Sequence, residues 1–276
     1  MEFGKAKDNE IKINPFVFPK TSSCEYLSVT LNQDKKIYVG LPKWSQIHPP
    51  QAPDKDALKY YCKVFNTVEL NATHYKLPTK EQVLQWKDKI SVDGFLFCPK
   101  MFKEVTHSGN LLGKETVTNE FLDAILSFGN TLGPILIQMR ESFSPIRKNE
   151  LFTFLEGLPR NFRFFLEVSH KEWFDNYTLP KGLIDKLQGL NMGAVITDSP
   201  SRRDAIHMQP IIPTTCIRFM ASGHNEVDLF RIQQWKQQLS KWFGLGLKEA
   251  YFFVHMPYED SSVDFAKYVR DQLVFA

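Results

Sequence analysis

From residue 37 onward the chain alternates between two rhythms of apolar and polar positions. Short runs rich in β-branched and aromatic residues read as strands: IYVG (37–40), TVELN (67–71), GFLFCPK (94–100), PILIQM (134–139), FRFFLEV (162–168), GAVITD (193–198), CIRFM (216–220) and AYFFVHM (250–256). The segments between them mostly carry helical spacing. Residues 54–64 open at Asp54, a candidate N-cap, and place Leu58, Tyr61, Cys62 and Phe65 on one face. Residues 79–90 open at Thr79 with Gln82 three positions on, the pattern of a capping box. Residues 118–130 run to a stop at Gly129. Segments 147–157, 180–189, 226–243 and 261–273 behave alike, whereas the Pro-rich SPSRRDAIHMQPIIP (199–213) reads as loop.

Eight strand-then-helix units predict an α/β fold with one parallel sheet closed on itself, a (β/α)8 TIM barrel. The expected organisation is a single barrel domain over 37–276 behind a short N-terminal extension over 1–36. An open doubly wound sheet normally brings a Gly-rich phosphate turn after its first strand, and GLPKWS has one Gly and a Pro there. Within the extension, NPFVFPK is an apolar patch between prolines and is expected to dock on the main body.

Composition narrows the function classes. The formal charge of +3 permits an anionic small ligand but lacks the basic stripe of a nucleic-acid binder, so nucleic acid is not the favoured partner. The cysteines at 24, 62, 98 and 216 form no CxxC pair and read as reduced thiols. The opening MEFGKAKDNEIKIN has no apolar core of a signal peptide, and no run is long enough for a membrane span, so a cytoplasmic location without membrane association is expected.

In a barrel of this kind chemistry gathers where strands end and loops begin. Strand two supplies Glu69, Asn71 and Thr73, expected on one side of the strand by parity, with Tyr75 just beyond. Strand three supplies Lys100, with His107 in the loop after it, and strand four Gln138. Strand five supplies Glu167 and His170, with Trp173 following. Strand six supplies Asp198, strand seven Arg218, and strand eight His255 with Glu259 beyond. The expected catalytic group is Glu69, Lys100, Glu167 and His170. Asn71, Tyr75, His107, Gln138, Trp173, Asp198, Arg218 and His255 are expected to bind substrate. A structural salt-bridge network plugging the barrel would use the same residue types.

These blocks also carry a resemblance. YVGLPKWS (38–45), FNTVELNATHY (65–75), FCPKMFKEVTH (97–107), GPILIQMRESF (133–143), FFLEVSHKEWF (164–174) and ITDSP (196–200) resemble, in order, the motifs of the YecE-like family. The resemblance implies a TIM barrel and supplies no reaction. That family often has Arg-Leu-His-Gly at strand seven, where this chain reads Arg218-Phe219-Met220-Ala221. It often has paired Asn after strand eight, where His255-Met256 stand here.

Four chemistries fit the residue types. Glu69, Glu167, His170, Asp198 and His255 are acceptable ligands for a divalent metal, the one cofactor the sequence suggests, as in a metal-dependent phosphodiesterase; Lys100 among them argues against it. Lys100 after an apolar strand suits imine formation or charge neutralisation, with Glu69 or Glu167 moving protons. Glu69 and Glu167 suit glycoside hydrolysis if their separation is right, with Trp44 and Trp173 as stacking surfaces. Lys43, Lys103, Arg140, Arg147, Arg202 and Arg203 would form the rim of a non-catalytic nucleic-acid or ligand-binding barrel. A phosphate site at the strand-seven loop is opposed by Asp228, three residues after the expected N-cap Asn225. The sequence therefore favours a hydrolase or lyase acting on a small anionic or sugar-like ligand.

Overall fold

The computed structural model describes residues 16–19, 35–45, 47, 49, 51–257 and 262–273. Cys24, Glu259 and most of the expected extension lie outside them. The strands are β1 (Lys36–Gly40), β2 (Thr67–Leu70), β3 (Leu96–Pro99), β4 (Ile135–Gln138), β5 (Phe164–Glu167), β6 (Gly193–Asp198), β7 (Thr214–Met220) and β8 (Glu249–His255). Each coincides with a sequence-expected run. The α-helices are α1 (Ala57–Tyr61), α2 (Ala72–Tyr75), α3 (Lys80–Lys87), α4 (Lys103–Thr106), α5 (Glu115–Ile125), α6 (Lys148–Gly157), α7 (Lys181–Gly189), α8 (Asn225–Gly244) and α9 (Ser262–Leu273). Between β6 and β7 the described chain carries only a 3-10 turn, Arg203–Ala205, in agreement with the loop expected there. This strand-and-helix order is that of the (β/α)8 class.

The chain forms two compact units, Gly40–His170 and Met1–Val39 with Lys171–Ala276. In the first, β2 pairs with β3 and β4 with β5, both in parallel. Parallel bridges Phe97↔Leu132 and Lys100↔Leu136 connect β3 to β4. Glu69 N–H donates to Leu41 O at 3.1 Å, tying β2 to the chain that leaves β1. The Tyr61 hydroxyl, buried in α1, accepts from Leu41 N–H and donates to Thr67 O, both at 2.8 Å. Burial holds that phenol above its usual range, so it keeps the proton this bridge needs.

In the second unit the order is β1-β8-β7-β6, with β6, β7 and β8 parallel. Trp235 and Trp242 of α8 pack edge to face at 6.1 Å, and Trp235 meets Phe252 of β8 at 5.9 Å. Phe16 and Phe18 dock on α8, as expected of the apolar patch. Gln234 Nε2 donates to Phe16 O at 2.8 Å, and Phe18 N–H donates to Gln234 Oε1 at 2.9 Å.

Helix ends depart from the sequence reading in instructive places. Thr79 does cap α3, accepting from Gln82 N–H at 3.2 Å, but the Gln82 side chain turns to Gln85 instead of closing the box. Asp54 is not an N-cap: it opens a 3-10 turn before α1, and Pro53 stands at the cap position. The helix expected to reach Gly129 gives way at Ile125 to a 3-10 segment, within which Gly129 takes a positive φ of 58°. The largest correction lies after β2. The chain turns into α2 at Ala72, so the period of two stops at Leu70, and Asn71 and Thr73 do not continue the Glu69 side of a strand.

Candidate functional site

Register decides which side chains of β2 to β5 share a face. Residues paired across a parallel ladder point the same way, and alternate residues along a strand point the same way. Glu69 pairs with Cys98, and Lys100 lies two residues on. Lys100 bridges to Leu136, Gln138 lies two further, and Gln138 pairs with Glu167. Glu69, Lys100, Gln138 and Glu167 therefore occupy one face. The opposite face holds Val68, Phe97, Ile137 and Leu166, with Phe97 stacked on Phe128 at 4.4 Å. All four polar residues are buried. The structure thus brings together three of the four residues expected to be catalytic, with Gln138 as a fourth member; His170 follows three residues past Glu167 on a part-exposed turn.

Gln138 Nε2 donates to Glu167 Oε2 at 2.7 Å. This fixes the amide, since its oxygen cannot face a carboxylate. Gln138 Oε1 is consequently aimed away, buried and without a hydrogen-bond partner among the described residues. A buried carbonyl oxygen in that position suits a donor such as a ligand hydroxyl.

The segments that leave β2 and β3 add two imidazoles. His74 of α2 lies edge to face with His107 at 4.9 Å between ring centroids. His74 Nδ1 is 2.8 Å from Met101 O, and because a carbonyl only accepts, the hydrogen sits on Nδ1 and Nε2 carries the lone pair. Burial, then the Lys100 charge, push His74 down to about 4. Burial, Lys100 and Arg140 lower His107 as well. His74 was not singled out from sequence; the signal was available in NATHY, whose polar run fits a helical turn better than a strand. Thr73 has a structural role: its one hydroxyl hydrogen is shared between Leu70 O and Lys100 O, each 2.8 Å from Oγ1, and so ties the start of α2 to the end of β3. Asn71 Nδ2 reaches Pro42 O at 3.5 Å, and Tyr75 is 60% exposed against the His74 ring.

In the second unit Arg218 pairs with Thr197 and Phe253, so His255, two residues past Phe253, shares the Arg218 face. Asp198 pairs with Phe219 and points to the other face, toward α8. There it accepts from Trp235 Nε1 at 2.8 Å and Arg231 Nη2 at 2.9 Å, and it pairs with Arg203. Burial pushes this carboxyl up, but Arg231, Arg203 and the indole N–H together hold it below its usual range. Asp198 is thus a helix anchor and does not join Arg218 as expected for a substrate residue. Trp173 is 2% exposed and packs inside, so its ring offers no stacking surface to a sugar. At the β7 loop, Asp228 accepts from Ser222 N–H at 2.9 Å and Gly223 N–H at 3.1 Å. The donors that an anion would use there are already occupied, and Asn225 is the first residue of α8, with His224 at the cap.

The chain thus combines the (β/α)8 element order with a buried polar face at the ends of its second to fifth strands. Residues 38–275 match the family described as Protein of unknown function DUF72, and the chain belongs to that family. It is 30% identical over 240 residues to the UPF0759 protein YecE of Escherichia coli (strain K12), covering 80% of this chain and 86% of that protein, in keeping with the YecE-like motifs. Among solved structures it is similar to a DUF72 family protein of Enterococcus faecalis V583, with a TM-score of 0.67, 16% identity and coverage of 89% of this chain and 100% of that one. A DUF72 family protein of Thermotoga maritima MSB8 gives a TM-score of 0.64 at 21% identity, covering 86% and 99%. At these identities the structural likeness is one of fold. Among the described residues no helix is long and apolar enough to cross a membrane.

Proposed function

We propose that this protein is an enzyme of the hydrolase or lyase type, acting on a small hydroxylated anion at the strand ends of the Gly40–His170 unit. The observation that carries this reading is the shared face of Glu69, Lys100, Gln138 and Glu167, with Gln138 holding one carboxylate oxygen of Glu167 at 2.7 Å. Glu167, oriented by that amide, moves the proton. Lys100 stabilises negative charge as it develops, Glu69 is the second carboxylate, and Gln138 Oε1 accepts from a substrate hydroxyl.

Two other readings are less well supported. Among the described residues no three His, Cys, Asp or Glu side chains group as a metal site, so the donor set expected for a metal-dependent phosphodiesterase does not fit. Of the basic rim expected for a nucleic-acid-binding barrel, Arg147 pairs with Glu150, Arg202 with Asp204 and Arg203 with Asp198, which removes half of its six charges from use.

The test is a calorimetric screen of sugars, sugar acids and sugar phosphates against the wild type and the Glu167→Gln, Glu69→Gln and Lys100→Met variants. Circular dichroism would report whether each variant folds. Folded variants that lose a ligand bound by the wild type support the reading. Unfolded variants would make the face a structural network, and folded variants with unchanged binding would remove it from the ligand site.

A further inference from the structure

On the α8 side of β6 the ion pairs form a chain of alternating charge. Asp228 pairs with Arg231 at 2.8 Å, Arg231 with Asp198 at 2.9 Å, and Asp198 with Arg203. Each inner member faces an opposite charge on both sides, and the chain ends on the Arg203 guanidinium. Nη1 of Arg203 donates to Asp198 Oδ1 and to Ser199 O. Its other two nitrogens, Nε and Nη2, are buried and make no hydrogen bond among the described residues. A buried donor without an acceptor is costly and uncommon, and here two stand on one side chain.

Nε–H and Nη2–H leave one edge of a guanidinium side by side, and that edge grips two oxygens of a carboxylate or phosphate at once. The chain uses it in this way elsewhere. Arg202 Nε and Nη2 meet the two oxygens of Asp204 at 2.9 and 2.7 Å, and Arg147 Nε and Nη2 meet those of Glu150 at 2.8 and 2.6 Å. Arg203 presents the same edge, but the carboxylate next to it in sequence, Asp204, is taken by Arg202. Phe16 lies over the cluster, its ring centroid 5.1 Å from Arg203 Cζ and 5.5 Å from Arg231 Cζ. An aromatic face attracts the cation but does not accept two in-plane N–H groups. The Phe16–Pro19 segment lies outside the residues that match the family. Its hydrogen bonds to the rest of the described chain both go to the Gln234 side chain, Phe18 adds a ring contact with Trp235 at 4.7 Å, and Val17 is 60% exposed. A segment held so lightly opens well before the core does.

We infer that Arg203 is an oxyanion-binding site on the α8 side of β6, that its Nε–Nη2 edge takes two oxygens of a phosphate or carboxylate group, and that the Phe16–Pro19 segment covers this edge and lifts as the anion enters. The anion continues the alternation by one member. Arg203 then bridges two negative groups, as Arg231 already does between Asp228 and Asp198. Every residue of the site belongs to the unit of Met1–Val39 with Lys171–Ala276, so it stands or falls separately from the catalytic reading of the Gly40–His170 unit. Because the cover opens before the anion binds, the observed affinity is the intrinsic one reduced by the open fraction.

Inorganic phosphate and acetate, titrated separately into the full chain, test this. The readout is the Arg203 Nε–H signal in 15N-edited NMR, assigned through its own side-chain carbons. It should move saturably with the group the site takes, and the anion that moves it at lower concentration decides between a phosphate and a carboxylate source. Gln234→Ala frees the segment and Phe16→Ala removes the ring, and each should tighten that anion about tenfold. Arg203→Lys keeps a positive charge beside Asp198 but lacks the paired donors, and should weaken the anion about tenfold or more, with circular dichroism showing that the fold is kept. In Lys100→Met the Arg203 signal should respond as in the wild type. A signal that neither anion moves, in the wild type or in Gln234→Ala, would overturn the site, as would unchanged affinity in folded Arg203→Lys. Affinity that fails to rise in both Gln234→Ala and Phe16→Ala would overturn the cover. Should Arg203→Lys unfold, the wild-type signal and the Gln234→Ala gain still decide the matter.

Discussion

Gln138 donates its amide to Glu167 across the β4–β5 ladder at 2.7 Å, and the two are also register partners. A strand-to-strand pair of this kind sets a carboxylate without help from a loop, and the buried Gln138 Oε1 is the atom left to meet a ligand.

Replacing Gln138 with Met keeps the volume and removes that donor. Hydrogen bonds to charged groups contribute about 1.5–3 kcal/mol, and the variant should lose an amount of that order in urea unfolding. A Gln138→Glu variant sets two carboxyl groups together and should be destabilised further near neutral pH than at pH 4.

Asp198 bridges Arg203, Arg231 and Trp235 in a dry setting. Asp198→Asn leaves two buried or nearly buried guanidinium groups short of a counter-charge, at a cost of roughly 3–5 kcal/mol. Its carboxyl is held below the ordinary value, so its contribution is present above pH 4 and is lost as pH falls through the folded-state value. Denaturant unfolding should show the loss in the variant at pH 7 and a smaller difference from wild type in strong acid.

His207 is buried, with Nε2 3.0 Å from Val195 O and Nδ1 accepting from Gln209 N–H at 3.3 Å. Both ring nitrogens are satisfied by the neutral form, and burial, partly offset by the Val195 carbonyl, lowers the group from 6.5 to about 4. The unfolded chain takes up this proton first, so stability falls as pH drops from 6.5 to 4. His207 alone should cost about 2 kcal/mol between pH 7 and pH 5. Urea midpoints at the two values should differ less in His207→Gln.

Gly40 ends β1 where the chain passes against β2. A Cβ there would stand 2.2 Å from Thr67 O and 2.8 Å from Thr67 C, both backbone atoms that cannot turn aside. Gly40→Ala should cost more than about 3 kcal/mol, or prevent folding, whereas Gly157→Ala, with nothing within 4 Å, should be near neutral or stabilising. Thermal unfolding of the two variants makes the comparison.

The eight strands were legible in the sequence because β-branched and aromatic runs at regular intervals can bury their apolar side chains in few other ways. The same logic marked Glu69, Lys100, Gln138 and Glu167 as polar groups that a packing strand does not need. What the sequence could not hold was the relation between strands. Asp198 ends β6 and Arg218 lies two residues before the end of β7, yet register sends Arg218 to one face and Asp198 to the other, where α8 supplies Arg231 and Trp235 from more than thirty residues away. His74 was hidden for a related reason. A single helical turn after Leu70, fastened by Thr73 to the Lys100 carbonyl, rotates it out of strand parity and against His107. Periodicity is a property of one segment and is written in that segment; side-chain partnership across a ladder depends on register and backbone closure between segments, and those are fixed only when the chain folds.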